Sequence, residues 1–148
     1  RQERVGRDGE TFRCVKFRTM VPDAEEDGRA RLATLDDDRI VPKLKWMREM
    51  RADELPQLWN VLRGEMSLVG PRPERPELVA EITRRVPGYV RRNELPPGLT
   101  GLAQVHGRYG TDAEYKLGYD IQYLVNWSLV VDVQILFRTV WVVLSRRV

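Results

Sequence analysis

Apolar positions in this chain gather in blocks with different periods. The longest block, residues 129–144, reads LVVDVQILFRTVWVVL and is apolar around nearly a whole helical circumference, broken by Asp132, Arg138 and Thr139. At 1.5 Å per residue such a helix spans roughly 24 Å, short of the ~30 Å hydrocarbon core of a bilayer, and it carries two charges. It reads either as a helix buried in a core or against a partner, or as one lying in a membrane interface. In the second case Trp127, Trp141, Arg146 and Arg147 would sit near the headgroups. Residues 54–62 place Leu55, Leu58, Trp59 and Leu62 on one helical stripe, which reads as core-facing. Residues 74–86 form a further amphipathic helix with Leu78, Val79, Ile82 and Val86 on one face, and 44–50 a short helix. Residues 2–19 read as two short strands around the Arg7-Asp8-Gly9 turn, with Phe12, Cys14, Val15 and Phe17 as apolar contacts and Lys16 and Arg18 between them.

The polar stretches complete the picture. Residues 22–38 are acidic and poor in apolar side chains, which predicts a surface loop with a short helical piece. Asp36, Asp37 and Asp38 could hold a metal there, but a solvated face is the simpler role. Residues 96–108, PPGLTGLAQVHGR, are punctuated by Gly and Pro and predict a loop that offers backbone N–H groups to a ligand. The expected fold is α+β: one mainly helical domain over 1–148, with a small N-terminal β-hairpin and amphipathic or interfacial helices on one face.

The chain has 148 residues, 32% charged and 42% hydrophobic, which suits a globular domain with a real core. A net charge of +3 is a weak sign of a preference for anions. One cysteine, Cys14, excludes an internal disulfide, and in a strand-like run it reads as a small core residue rather than a nucleophile. One histidine, His106, excludes a His-rich metal site. No signal peptide is read at the start, where the chain opens at once on hairpin-like sequence, as a fragment of a longer protein would.

Chemistry concentrates in RADELPQLWNVLRGEMSLVGPRPE, residues 51–74. Adjacent carboxylates, Asp53 and Glu54, stand five residues after Arg48, and a stiff Gly-Pro-Arg-Pro turn carries Arg72. A carboxylate can attack phosphorus or hold a metal while arginines neutralise a transferring phosphate. A plainer role is available: Asp53 as a helix N-cap, Glu54 in the positive first turn, and Pro56 where a helix tolerates proline. The two roles are compatible, since a helix N-terminus also favours an ionised aspartate. Two prolines around an arginine favour function, because a surface charge gains nothing from a rigid backbone.

Together with RVGRDGETFRCVKFRTM, PPGLTGLAQVHGR and YDIQYLVNWSLVVDVQILFRTV, that run resembles the catalytic domain of bacterial polyprenyl-phosphate phosphoglycosyl transferases, the monotopic sugar transferases that begin exopolysaccharide, capsule and O-antigen assembly. The resemblance covers nearly the whole chain. It implies transfer of a sugar-1-phosphate from a UDP-sugar to polyprenyl (undecaprenyl) phosphate, with release of UMP. It places the catalytic dyad on Asp53, which would form an aspartyl phosphosugar, and Glu54, which would hold Mg²⁺ with it. Arg48, Arg72 and Lys16 match residues associated with substrate phosphates, and Thr100, Gln104, His106 and Arg108 lie in the loop assigned to nucleotide or sugar. The implied location is the cytoplasmic face of the bacterial inner membrane, against its inner leaflet, with the family's N-terminal re-entrant helix missing from this chain.

Two departures touch the sugar loop. Leu95 precedes Pro-Pro-Gly where the family often has a basic residue, and His106 stands where Asn is common. A homo-oligomer is left open, and no nucleic-acid partner is expected. A nucleic-acid-binding module, permitted by the pI of 9.2, remains an alternative, as does a catalytically inactive membrane scaffold.

Overall fold

A computed structural model describes residues 2–22, 24, 37–107 and 112–145. Asp36, Arg108, Arg146, Arg147 and most of the acidic 22–38 stretch lie outside the described residues. Strands β1 (Gln2–Val5) and β2 (Thr11–Cys14) pair antiparallel around a 3₁₀ turn, Arg7–Gly9. Asp8 and Gly9 take positive φ (55° and 84°), a backbone that Gly adopts freely and Asp tolerates. The second strand stops at Cys14, and beyond it Val15 N–H donates to Asn60 Oδ1 and Phe17 N–H to the Asp53 carbonyl. Phe12 and Val15 are half-buried as contacts, but Phe17 is exposed, contrary to the alternation read from sequence.

The next helix is a 3₁₀ turn, Pro42–Leu44, running into α1 (Lys45–Glu49). The segment carrying the two carboxylates is not a regular α-helix from its start. It is a 3₁₀ turn, Ala52–Gln57, that passes into α2 (Leu58–Leu62). Pro56 has no N–H to offer the α ladder, which accounts for the tighter turn before it. Strand β3 (Ser67–Val69) then pairs in parallel with β4 (Gly98–Thr100). Between them lie α3 (Pro76–Arg85) and a 3₁₀ turn, Tyr89–Glu94. Leu78 and Val86 are buried on the face expected of α3.

After β4 come α4 (Leu102–His106), α5 (Ala113–Asn126) and α6 (Leu129–Leu144). The core is small: Val69, Val105, Tyr123 and Ile135, with Leu95, Leu102, Val131 and Leu136 against it. Residues 96–107 therefore hold a strand and a short helix rather than an open loop. Their N–H groups serve the fold: Gly98 donates to the Pro71 carbonyl at 2.9 Å and Gln104 to that of Gly101 at 3.0 Å. The fit is tight enough to demand glycine. A Cβ on Gly98 would lie 2.1 Å from Gly70 N, and one on Gly70 would lie 2.3 Å from Pro96 O. The two glycine-rich motifs are thus two halves of one backbone contact.

Two segments are built inside out. In 52–62 the polar Asp53, Glu54, Gln57 and Asn60 are buried, while Leu55, Leu58, Trp59 and Leu62 are exposed, Leu62 by 80%. The stripe that reads as core from its period faces outward. In α6, Asp132 accepts a hydrogen bond from the Tyr123 hydroxyl at 2.6 Å, and Thr139 Oγ1 lies 2.7 Å from Thr100 Oγ1. Of its apolar residues, Ile135 is buried, whereas Leu129, Val130, Val133, Phe137, Val140, Trp141 and Leu144 are exposed. Water would penalise such a surface, and monomeric soluble proteins rarely expose contiguous apolar patches this rich.

Candidate active site

The carboxylate pair owes its position to Arg51, two residues before it, and to two stretches of chain that lean on it. Arg51 adopts a left-handed conformation (φ 53°), costly for a non-glycine residue, and starts the 3₁₀ turn without a side-chain cap. Asp53 thus lies inside the turn, and the N-cap role open to it from sequence is not the one it takes. Phe17 N–H donates to the Asp53 carbonyl at 3.0 Å, which brings Lys16 beside the pair. Asn60 fixes that approach from below. Its Oδ1 accepts from Val15 N at 3.0 Å, and its Nδ2 donates to the Arg13 carbonyl at 3.0 Å and to Glu65 Oε2 at 2.6 Å.

Glu54 is held by a two-pronged guanidinium. Arg72 Nη2 and Nη1 donate to its two oxygens at 2.5 and 3.3 Å, and Arg51 Nη1 stands 3.9 Å away. Burial alone would raise the Glu54 pKa, but Arg72 and then Arg51 more than cancel it, so the carboxyl lies below its ordinary range. Asp53 is treated in the opposite way. Burial, and then the charge of Glu54, push its pKa up, with Arg48 and Lys16 pulling back. Among the described residues no side chain hydrogen-bonds or ion-pairs with the Asp53 carboxylate. One acid of the pair is committed to a guanidinium, and the other, which its own backbone N–H also approaches, has no side-chain partner among the described residues.

The surrounding cations are crowded. The protein mass around Lys16, and then Arg4 and Arg72, hold its ammonium below the usual lysine pKa, though the side chain keeps an open face to solvent. Arg48 Nη1 lies 3.4 Å from Thr19 Oγ1. Arg4, Cys14, Lys16, Glu54, Gln57, Arg72, Pro73 and Gly98 line a narrow cleft of about 20 Å³, roughly the room of one water molecule or small ion. Burial pushes the Cys14 thiol up, so it is not a ready thiolate. Among the described residues no cluster of three or more His, Cys, Asp or Glu side chains is placed to hold a metal. Asp37 instead pairs with Arg39 at 2.5 Å.

The structure therefore brings Lys16, Arg48, Asp53, Glu54 and Arg72 together. The residues named for a nucleotide or sugar loop are distributed differently. Thr100 is buried against Thr139, Gln104 Nε2 donates to the Leu99 carbonyl at 3.1 Å, and His106 is exposed and stacked on Tyr119 at 5.0 Å. Burial and then Arg138 lower the His106 pKa, so its imidazole favours the neutral form. Sequence reasoning did not pick out Arg4, Arg51 or Gln57. Arg4 was readable as part of the RVGR run, whereas the left-handed backbone of Arg51 leaves no signal in its residue type.

Residues 1–146 match a family model described as bacterial sugar transferase. The chain is 42% identical over 147 residues to a UDP-N-acetylgalactosamine-undecaprenyl-phosphate N-acetylgalactosaminephosphotransferase of Aeromonas hydrophila, covering 97% of this chain and 34% of that protein. It is 45% identical over 159 residues to a UDP-galactose-lipid carrier transferase of Erwinia amylovora, covering 97% and 32%. With the exopolysaccharide production protein ExoY of Rhizobium meliloti the identity is 38% over 151 residues, covering 93% and 66%. The chain thus spans about a third of the first two relatives and two-thirds of the last. From this match along nearly its full length, the chain belongs to the bacterial sugar transferase family.

Proposed function

We propose that this chain transfers a sugar-1-phosphate from a UDP-sugar to polyprenyl phosphate, releasing UMP, with Asp53 as a covalent nucleophile. The observation that carries this reading is the buried Asp53 carboxylate, unclaimed by any described side chain, beside a Glu54 already paired with Arg72. In the first half-reaction an Asp53 oxygen attacks the sugar-linked phosphorus. The bond from that phosphorus to the bridging oxygen breaks, and UMP leaves with the electron pair. In the second, an oxygen of polyprenyl phosphate attacks the same phosphorus, the bond to Asp53 breaks, and the carboxylate is regenerated. A carboxylate of raised basicity is the better nucleophile, and Arg72, Arg48 and Lys16 supply the positive charge a phosphoryl group needs.

Asp53 and Glu54 fit Mg²⁺, which commonly takes one or two carboxylates together with phosphate oxygens and water. The support is the donor set itself: two adjacent carboxylates, one without a side-chain partner among the described residues. The bound ion would neutralise charge on the diphosphate. The relatives' names, which include undecaprenyl phosphate with N-acetylgalactosamine, glucose or galactose, support the acceptor and leave the sugar open.

The outward apolar faces of 52–62 and α6 support work at a lipid surface, taken here as the cytoplasmic face of the bacterial inner membrane. No helix among the described residues is long and apolar enough to cross a membrane. The test is UMP release in liposomes containing polyprenyl phosphate, across a panel of UDP-sugars, with and without Mg²⁺. Metal-dependent release with at least one sugar is expected. Folded protein that releases no UMP with any of them, but binds nucleic acid in a salt-sensitive way, would overturn the reading.

A further inference from the structure

Arg72 is itself held from behind. It lies in the Gly70–Pro73 turn, where the prolines fix φ but leave carbonyls to be satisfied. The Arg72 carbonyl accepts a hydrogen bond from Arg92 Nη2 at 2.9 Å. Arg92, in the Tyr89–Glu94 turn, is 3% exposed, and the same Nη2 stands 2.8 Å from Asp120 Oδ2 on α5, 2% exposed. Arg92 Nη1 donates to the Tyr89 hydroxyl, and the guanidinium carbon lies 4.9 Å from the centre of the Tyr89 ring. None of Tyr89, Arg92 and Asp120 lines the cleft beside Glu54, whereas Arg72 does.

We infer that the Arg92–Asp120 pair positions Arg72, fixing the turn so that its guanidinium meets Glu54 and the substrate phosphate at once. The inference rests on the proposed role of Arg72 as a phosphate-binding residue. Stability alone is a poor account of the pair. Two charges removed from water rarely gain over apolar residues of similar volume, because desolvation offsets their attraction. Here Asp120 Oδ2 is close to Arg92 as a charge but makes no hydrogen bond of good geometry, and Arg92 Nε has no partner. Burial pushes the Asp120 carboxyl up to about 6 despite Arg92. What the arrangement does supply is direction. Asp120 on α5 anchors a guanidinium, and that guanidinium fixes a carbonyl two bonds from the Arg72 side chain. A main-chain shift of about 1 Å there would spoil the two-pronged grip on Glu54, and misplacements of that size are costly in catalysis.

The test uses the double variant Arg92→Met, Asp120→Leu, which removes both charges and the donor to Arg72 while filling the space. The expected result is a melting temperature near wild type, a clear loss of NMR order at the Arg72 Nε–H, and a fall of at least tenfold in kcat/KM for the UDP-sugar. A merely structural pair would leave the last two unchanged once stability is restored. Arg92→Lys is a second variant: Arg92 meets Tyr89 through Nη1 and the Arg72 carbonyl through Nη2, a single ammonium nitrogen cannot occupy both places, and the same losses are expected. Folded variants with wild-type Arg72 order and kcat/KM would overturn the inference. Should the wild type itself turn over no UDP-sugar, the functional reading fails separately, and Arg72 Nε–H order alone decides the positioning role.

Discussion

Replacing Arg72 separates its pairing with Glu54 from the phosphate-holding role proposed for it. In Arg72→Ala the Glu54 carboxylate stays buried, with Arg51 Nη1 3.9 Å away and the Lys16 charge also acting on it. Removing one partner of a fully buried pair costs about 3–5 kcal/mol. The Arg72 side chain is 41% exposed, so water offsets much of that, leaving about 1–2 kcal/mol and a fall of about 3–6 °C in melting temperature. The Glu54 pKa, now under burial without its main cation, should rise above the ordinary glutamate value. The loss of stability in the variant is therefore largest above that value and disappears at lower pH, where Glu54 is protonated. Arg72→Lys keeps the charge and most of the stability, but a single ammonium cannot reproduce two parallel N–H donors. Losing one such donor to a transition-state oxyanion costs about 10²–10³ in rate, so Lys should retain on the order of 1% or less of kcat/KM. The assay pairs thermal melts over pH with UMP release in liposomes. Near-normal turnover in Arg72→Lys would show that Arg72 is structural only.

Other substitutions probe the rest of the account. Asp53→Asn should fold with a melting temperature within a few degrees of wild type and lose turnover by more than 10³, as checked by melts and UMP release. Asp120, with a folded pKa of about 6 against an ordinary 3.8, binds its proton more tightly when folded. Its contribution to stability is therefore greatest below pH ~4 and declines by about 3 kcal/mol as pH rises to ~6, a slope that Asp120→Asn should flatten in denaturant titrations. Leu62→Glu with Phe137→Glu should weaken sedimentation with anionic liposomes at least tenfold without unfolding the chain, since both side chains are exposed. Gly98→Ala should prevent folding or cost several kcal/mol, because its Cβ would meet Gly70 N at 2.1 Å, and a far-ultraviolet melt would register it.

Periodicity announced the hairpin, α1, α3 and α6 because each carries a local pattern. Residue types, not period, pointed to the carboxylates and to the Gly-Pro-Arg-Pro turn, whose prolines restrict the backbone directly. Four features escape both. The stripe Leu55, Leu58, Trp59 and Leu62 has the period of a core face, but period does not say which side of a short helix meets protein. The burial of Gln57 and Asn60 opposite is what decides it. Helix α5 was not read, because Tyr115, Gly118, Tyr119 and Asp120 break its apolar stripe. Finally, the Arg92–Asp120 pair joins residues 28 positions apart, and the β3–β4 pairing joins two motifs with a helix between them. Only tertiary packing brings such partners together.

The most direct measurement of the central claim is a covalent one. The protein is incubated with a UDP-sugar and Mg²⁺ and no lipid acceptor, then quenched for peptide mass spectrometry while labelled UMP is followed into the UDP-sugar pool. A phosphosugar adduct on Asp53 and UMP exchange without acceptor are expected, with both lost in Asp53→Asn. Active enzyme that shows neither exchange nor an adduct on Asp53 would mean direct transfer between the two substrates, with Asp53 not the nucleophile.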